Sequence, residues 1–285
     1  MIRVVVVDDS AFARKVLREC LQTNPLIEIV GTARDGVEAL ELITQLQPDV
    51  VTLDLIMPNL DGVGVLRALS EQNRRKVLIV SMADANSDVA IEALTLGAFD
   101  LVHKPTALAL ESLREISAEL VDKVQRAYEA SASVRTPSVA TKPAATKPRL
   151  AASRVEVIVI GTSTGGPQAL SRLLRTLPAD LSVPVLVVIH IPPGYTAALA
   201  ERLDAECAVK VVEASPGLRA SPGTVVIARA GSHLKLVNEA ATLRLRLDTE
   251  PSDTLHCPAV DVLFQSAASV CGAYTLGVVL TGMGN

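Results

Sequence analysis

The chain contains no tryptophan, and aromatic residues make up only 2% of its 285 positions. Few aromatic rings leave few platforms on which the bases of single-stranded nucleic acid could stack. Basic residues are not in excess either, since the chain has 27 lysines and arginines but 31 acidic residues, and its formal net charge is −4. Both shortages argue against a nucleic-acid partner.

Cysteine is scarce as well, and no two cysteines have the C-x-x-C spacing of a redox or zinc motif. We interpret all four as reduced thiols of a cytoplasmic protein, at Cys20, Cys207, Cys257 and Cys271. No signal peptide is predicted, because Asp8 and Asp9 interrupt the first apolar run.

Charged residues are missing altogether between positions 262 and 285. That stretch is long enough to cross a membrane. Its polar residues and glycines instead favour a buried helix followed by a core strand, Leu276 to Thr281. We therefore expect no membrane insertion.

The first part of the chain alternates short apolar runs with helical patterns, which is typical of an α/β fold. The apolar runs are Val4–Val7, Ile27–Val30, Val50–Leu53, Val77–Val80 and Leu101–Val102. Five such units predict a doubly wound parallel sheet that binds ligands at the carboxyl ends of its strands.

A change in composition separates this part from a second α/β series. Alanine, serine, threonine and proline dominate from about residue 130, and the basic residues there have no acidic neighbours in the window. We predict one domain at residues 1–125, a solvated linker rich in alanine, proline, threonine and lysine at 126–154, and a second domain at 155–285.

Three carboxylates fall at predicted strand ends of the first domain. Asp8 and Asp9 follow the first strand and Asp54 follows the third. Because the ends of parallel strands meet at one edge, the three should repel one another unless a hard cation such as Mg²⁺ lies between them. Ser81 and Lys104 follow the fourth and fifth strands and could contact a phosphoryl group; scattered surface acids are the alternative interpretation.

These residues resemble those of response-regulator receiver domains, which have a flavodoxin-like fold. The resemblance rests on Asp8-Asp9, on Leu53-Asp54-Leu55-Ile56-Met57-Pro58-Asn59-Leu60-Asp61-Gly62, and on Ser81 and Lys104-Pro105. It implies that Asp54 accepts a phosphoryl group from a histidine kinase. It also implies that Asp9, Asp54 and the carbonyl of Ile56 hold Mg²⁺, with Asp8 acting through water.

Two features accompany that resemblance. Pro105 predicts a cis Lys104–Pro105 bond. Leu101 stands three residues before Lys104, where the family often has a switching aromatic residue.

The second domain begins with an apolar run that leads into Gly161-Thr162-Ser163-Thr164-Gly165-Gly166. A strand that ends in G-x-S-x-G and turns into a helix is typical of a nucleophile elbow. A serine there needs a base, and His190 follows the next apolar run, Val185–Ile189. A dinucleotide-binding loop is the alternative, but Ser163 replaces the middle glycine that approaches a pyrophosphate.

This half resembles the protein-glutamate methylesterases of bacterial chemotaxis, the CheB family. The resemblance rests on the Ser163 segment, His190–Thr196, Pro258–Phe264 and Leu280–Asn285. It implies that Ser163 is the nucleophile, that His190 is the base, and that backbone N–H groups near Thr164 and Met283 stabilise the oxyanion. The third triad member would be an Asp directly after Asn285, so we expect a truncated, incomplete domain.

Other residues have weaker assignments. Cys257 stands where the family usually has Arg. Asp261 is the nearest alternative carboxylate, but a capping or packing role fits it better. The remaining histidines, His103, His233 and His256, have no metal-ligand spacing, and we interpret them as structural or surface residues.

Together these patterns predict a phosphorylatable receiver that controls a serine esterase. The family resemblance and the domain order imply that the receiver packs over the esterase active site. The resemblance implies methylated chemoreceptors as substrates, deamidation of their glutamines as a second activity, and a CheA-type kinase as phosphodonor. We expect the full-length protein to be a monomer and residues 1–285 alone to be weak or inactive. A catalytically silent binding module and a DNA-binding response regulator are the alternatives.

Overall fold

The computed structural model describes residues 1–69, 76–82, 87–104, 110–135 and 155–281. The chain divides into two compact units, Met1–Thr136 and Pro137–Asn285.

The first unit contains a five-stranded sheet covered by five helices. The strands are β1 (Ile2–Val7), β2 (Ile27–Ala33), β3 (Val50–Leu53), β4 (Lys76–Met82) and β5 (Asp100–Lys104). The helices are α1 (Ala11–Gln22), α2 (Gly36–Leu46), α3 (Gly62–Ala68), α4 (Ser87–Thr95) and α5 (Leu110–Arg135). The order β2-β1-β3-β4-β5, with every pair parallel, confirms the predicted receiver-like topology.

Local signals set the helix starts of this unit. The Ser10 side chain accepts a hydrogen bond from the Ala13 N–H and caps α1. Asp35 caps α2 by accepting from the Glu38 N–H at 2.9 Å. Helix α5 differs from expectation: it continues to Arg135, past the predicted domain end at residue 125, so the first part of the predicted linker 126–154 is helical. Residues 136–154 lie outside the described part.

The second unit contains a further five-stranded parallel sheet and a hairpin. Its strands are β6 (Val157–Thr162), β7 (Val185–Ile189), β8 (Lys210–Glu213), β9 (Thr224–Ile227), β10 (His233–Glu239), β11 (Thr242–Asp248) and β12 (Thr275–Val279). Its helices are α6 (Gly166–Leu174), α7 (Thr196–Glu206) and α8 (Val260–Cys271). The sheet order is β12-β6-β7-β9-β8, and β10 pairs antiparallel with β11. The predicted α/β class is therefore confirmed.

The prediction of a core strand at Leu276–Thr281 is wrong. Strand β12 does form there, but it pairs with β6 alone among the described strands and lies at the edge of the sheet. Leu276 and Val279 are 44% and 71% exposed as a result. The preceding helix α8 buries one face, through Val262, Leu263, Ala267 and Cys271. No helix in the described part of the chain is both long and apolar enough to span a bilayer.

Candidate functional sites

Two neighbouring strands of the first unit place the predicted carboxylates together. Val7 at the end of β1 pairs with Leu53 at the end of β3, so Asp8 and Asp54 emerge side by side. Both are buried, whereas Asp9 is exposed. One carboxylate oxygen from each of the three lies within 4.8 Å of the others. The structure thus brings together the residues that the sequence proposed as one pocket.

Lys104 enters this pocket from the end of β5. Its Nζ lies 2.6 Å from Asp8 Oδ2 and 2.7 Å from Asp54 Oδ2. Backbone groups hold the other carboxylate oxygens: the Leu55 N–H donates to Asp54 Oδ1 at 2.7 Å, and the Ser10 N–H donates to Asp8 Oδ1 at 3.0 Å. The carboxylates are therefore fixed before any ligand arrives.

The charges of the pocket are strongly coupled. Burial raises the pKa of Asp54, and the hydrogen bond from Lys104 opposes that rise. Burial on its own would lower the pKa of Lys104, but hydrogen bonds to Asp54 and Asp8 outweigh it and leave the pKa above its ordinary value. Lys104 is consequently a permanent cation among three carboxylates. A hard divalent cation that prefers oxygen ligands suits this donor set.

The other predicted residues of this pocket in the described part of the chain are Ser81 and Ile56. Ser81 is buried in β4, two residues beyond Ile79, which pairs with Leu53. The Ile56 N–H lies 3.4 Å from Asp54 Oδ1, so the segment after β3 wraps around the carboxylate. The predicted cis bond to Pro105 lies outside the described residues.

Ser163 of the second unit lies in a tight turn between β6 and α6. Its N–H donates to the Thr281 carbonyl at 2.8 Å, and its own carbonyl accepts from the Gly166 N–H at 2.7 Å. Gly165 has a φ of +73°, a conformation that glycine adopts at little cost. A side chain on Gly166 would approach Thr162 Oγ1 to 2.8 Å, which explains the need for glycine at that position.

His190 follows β7, the strand next to β6. Its N–H donates to the Thr162 carbonyl at 3.3 Å, which keeps the ends of the two strands together. Its ring Nδ1 lies 3.3 Å from Ser163 Oγ. For Nδ1 to accept the serine proton, the neutral ring must carry its own proton on Nε2. Nucleophile and base are thus within reach of each other.

Comparison with known proteins agrees with both resemblances. Residues 4–116 match the response regulator receiver domain, and residues 158–285 match CheB methylesterase. A protein of Myxococcus xanthus (strain DK1622), named protein-glutamate methylesterase/protein-glutamine glutaminase 5, is 54% identical over 285 residues, which is 100% of this chain and 82% of that protein.

The chain belongs to the CheB methylesterase family. A protein of Symbiobacterium thermophilum named protein-glutamate methylesterase/protein-glutamine glutaminase is 44% identical over 297 residues, covering 99% of this chain and 81% of that protein. The crystal structure of the Thermotoga maritima CheB methylesterase catalytic domain shares 39% identity and a TM-score of 0.45, over 46% of this chain and 69% of that one. Family membership confirms the predicted enzyme class, since the second unit is a methylesterase domain.

The CheB-type site includes a side chain that sequence reasoning missed. The exposed ring of His256 lies against His190, with 4.3 Å between ring centroids and an interplanar angle of 39°. The two histidines are separated by 65 residues of chain, and no spacing rule for metal ligands or triads reveals their contact. The only local signal is that His256 lies two residues before Pro258, where one of the segments that carry the family resemblance begins.

The remaining predicted residues of this CheB unit have varied surroundings. Thr164 is buried directly after Ser163, and its carbonyl accepts from the Thr281 hydroxyl at 3.1 Å. Met283 lies outside the described residues. Asp261 is exposed in the first turn of α8, whose N-cap is Ala259 with no side-chain hydrogen bond. Asp261 therefore neither caps nor packs, although a carboxylate there favours the helix dipole. Cys257 is exposed, and burial raises the pKa of its thiol.

Proposed function

We propose that this protein is a serine esterase, regulated by phosphorylation, that hydrolyses glutamate methyl esters on chemoreceptors and deamidates their glutamines. The observation that carries the proposal is the 3.3 Å separation between His190 Nδ1 and Ser163 Oγ, at the ends of adjacent parallel strands. The names of the relatives support protein glutamate methyl esters and protein glutamines as substrates, and the family resemblance implies that chemoreceptors carry them.

The chemistry follows from that geometry. Ser163 Oγ attacks the carbonyl carbon of the ester while His190 Nδ1 takes its proton. The proton then passes to the departing methoxide, so methanol leaves and an acyl-serine remains. His190 next accepts a proton from water, whose oxygen attacks the acyl carbon. As the acyl–Oγ bond breaks, His190 returns that proton to Ser163 Oγ, and glutamate is released. An amide substrate follows the same course with ammonia as the leaving group.

The turn at Ser163 also favours the developing oxyanion. Ser163 and Thr164 lie directly before Gly165, the N-cap of α6, so the positive end of the helix dipole would lie beside the reacting carbonyl. The Thr164 N–H is our candidate oxyanion donor because it belongs to the residue directly after the nucleophile. This assignment and that of Met283 rest on the family resemblance.

In the receiver unit, Asp54 is the proposed phosphoryl acceptor. Asp9, Asp54 and the Ile56 carbonyl would hold Mg²⁺, with Asp8 acting through water, and the ion would neutralise phosphoryl oxygens. Lys104 and Ser81 would contact the transferred group. Because Lys104 already spans Asp8 and Asp54, phosphorylation must redirect its ammonium to the new phosphoryl oxygens. This local change is the proposed start of the signal to the esterase unit.

The partners that follow are methyl-accepting chemotaxis receptors as substrates and a CheA-type histidine kinase as phosphodonor. The acidic balance of the chain supports a protein partner rather than nucleic acid.

Methanol release from methylated receptor by the full-length protein tests the proposal, with and without acetyl phosphate. We expect release that requires Ser163, is lost in Ser163→Ala, and rises with acetyl phosphate in wild type but not in Asp54→Asn. A folded wild-type protein that accepts phosphate on Asp54 yet releases no methanol would contradict the esterase assignment. It would favour the alternative of a catalytically silent binding module.

A further inference from the structure

The loop Thr249–Ala259, which joins β11 to α8, is tied down by one buried side chain. We call this segment the β11–α8 loop. His233, at the start of β10, is 0% exposed and reaches both ends of the loop. The Ala259 N–H donates to its Nδ1 at 3.0 Å, and its Nε2 lies 3.1 Å from the Pro251 carbonyl.

These two bonds fix the form of His233. Because Nδ1 accepts a hydrogen bond from the Ala259 N–H, the ring proton must be on Nε2, which donates to the Pro251 carbonyl. A neutral imidazole with one hydrogen bond at each ring nitrogen therefore connects the two ends of the β11–α8 loop. Loss of either bond would leave a backbone group of the loop without its partner.

Two further bonds hold the middle of the loop. The Thr254 hydroxyl donates to the His256 carbonyl at 3.0 Å and lies 3.3 Å from His233 Nε2. The Gly231 N–H donates to the Cys257 carbonyl at 3.0 Å. The backbone of His256 is therefore fixed on both sides, although its side chain is exposed.

The fixed backbone directs the His256 ring onto the ring of the proposed base, with 4.3 Å between centroids. We propose that His256 is a positioning residue for His190, and that His233 and Thr254 hold it in place. The inference rests on the proposed esterase function. It assigns a role to two histidines that sequence reasoning left as structural or surface residues.

The physical effect is restriction of the His190 ring. An imidazole that rotates about its Cβ–Cγ bond turns Nδ1 away from Ser163 Oγ, and the His256 face blocks part of that rotation. Contacts between aromatic rings contribute enough to change a rate by about threefold to tenfold when they act only on orientation. A contact that acts only on the orientation of the base does not contribute to substrate binding, so we expect the change to fall on kcat and to leave KM unaltered.

The first test compares four forms of the full-length protein by methanol release. We expect His256→Ala to lower kcat about threefold to tenfold, with KM unchanged. His256→Phe, which keeps a flat ring, should restore most of the loss. Leu255→Ala is the matched control, because Leu255 is the adjacent residue in the same loop and is 92% exposed; it should equal wild type.

A second test asks whether Thr254 acts through His256. Thr254→Val removes the hydroxyl while keeping the shape of the side chain, and we expect kcat to fall in the same direction. The double variant Thr254→Val/His256→Ala should be no slower than His256→Ala alone, because both changes remove one contact. Additive losses in kcat would overturn the inference that Thr254 acts through His256.

A third readout does not require activity. Resonances of the His190 imidazole in NMR spectra should shift in His256→Ala, because the neighbouring ring current is lost, and should not shift in Leu255→Ala. The positioning role is overturned if His256→Ala matches Leu255→Ala in kcat and in the His190 spectrum. It is also overturned if His256→Phe is as slow as His256→Ala, since the imidazole itself would then be reacting. If wild type shows no Ser163-dependent release, the esterase function fails, and the spectrum alone decides the contact.

Discussion

Gly161 permits the close approach of β6 and α8, and an alanine there should push them apart. A Cβ on Gly161 would lie 2.4 Å from Val260 Cγ1 and 3.0 Å from Cγ2. Carbon atoms in contact are ordinarily about 3.5–4.0 Å apart, so the strand and the helix must separate by roughly 1 Å. Overpacking of this kind costs about 1–3 kcal/mol of unfolding free energy.

A smaller effect opposes that cost. Replacing glycine by alanine restricts the unfolded chain and stabilises by about 0.4–1 kcal/mol where the native conformation allows it. We therefore expect Gly161→Ala to lose about 1–2 kcal/mol of local stability. Ser163 lies two residues further along, so the displaced strand should also reduce kcat, by up to about 100-fold for a shift of about 1 Å.

Hydrogen exchange of the β6 amides measures this loss without requiring both units to unfold together. The matched variants are Val260→Ala and the double variant Gly161→Ala/Val260→Ala. Val260→Ala removes both Cγ atoms, so the double variant should be more protected than the sum of the single changes predicts. Unchanged protection and kcat in Gly161→Ala, or strict additivity in the double variant, would refute the steric reasoning.

Three further predictions concern charge. Lys104→Met should raise the pKa of Asp54 further. A carboxylate whose pKa is raised in the folded state stabilises the fold only at low pH, so the unfolding free energy of the variant should fall more steeply than that of wild type as pH rises from about 4. Urea denaturation without Mg²⁺ measures this difference. The pKa of Asp248 is lowered to about 2, mainly by the hydrogen bond from the Glu250 N–H and then by Lys235. The stabilising effect of this carboxylate should vanish as pH falls from about 3.9 towards that value. In Asp248→Asn, acid titration should therefore lack this part of the loss in unfolding free energy. Asp54→Asn should abolish acid-labile incorporation of label from acetyl phosphate, and retained incorporation would assign another acceptor.

Much of the fold was predictable because its signals are local. The apolar runs that became β1, β3, β4, β6 and β7 are short, bounded and separated by helical patterns, so their order along the chain predicts parallel sheets. Asp8, Asp54 and Lys104 were predicted to converge for the same reason, since residues that follow parallel strands share an edge.

Boundaries and exposure were less predictable. Helix α5 continues to Arg135 because alanine-rich and charged residues favour helix as readily as a linker. The apolar residues of β12 predict a core strand. Leu276 and Val279 are nevertheless exposed, because the sheet order places β12 at an edge. Composition records what a strand could bury, and only the neighbouring elements determine what it does bury.

The sequence by itself determined the two α/β units, the carboxylate pocket and the serine turn, because each depends on residues at the ends of consecutive strands. Only the tertiary structure decided that His256 lies against His190, that His233 closes the β11–α8 loop, and that Gly161 faces Val260. Those contacts join residues far apart along the chain. Their geometry depends on how strands and helices pack, which no local pattern of residues encodes.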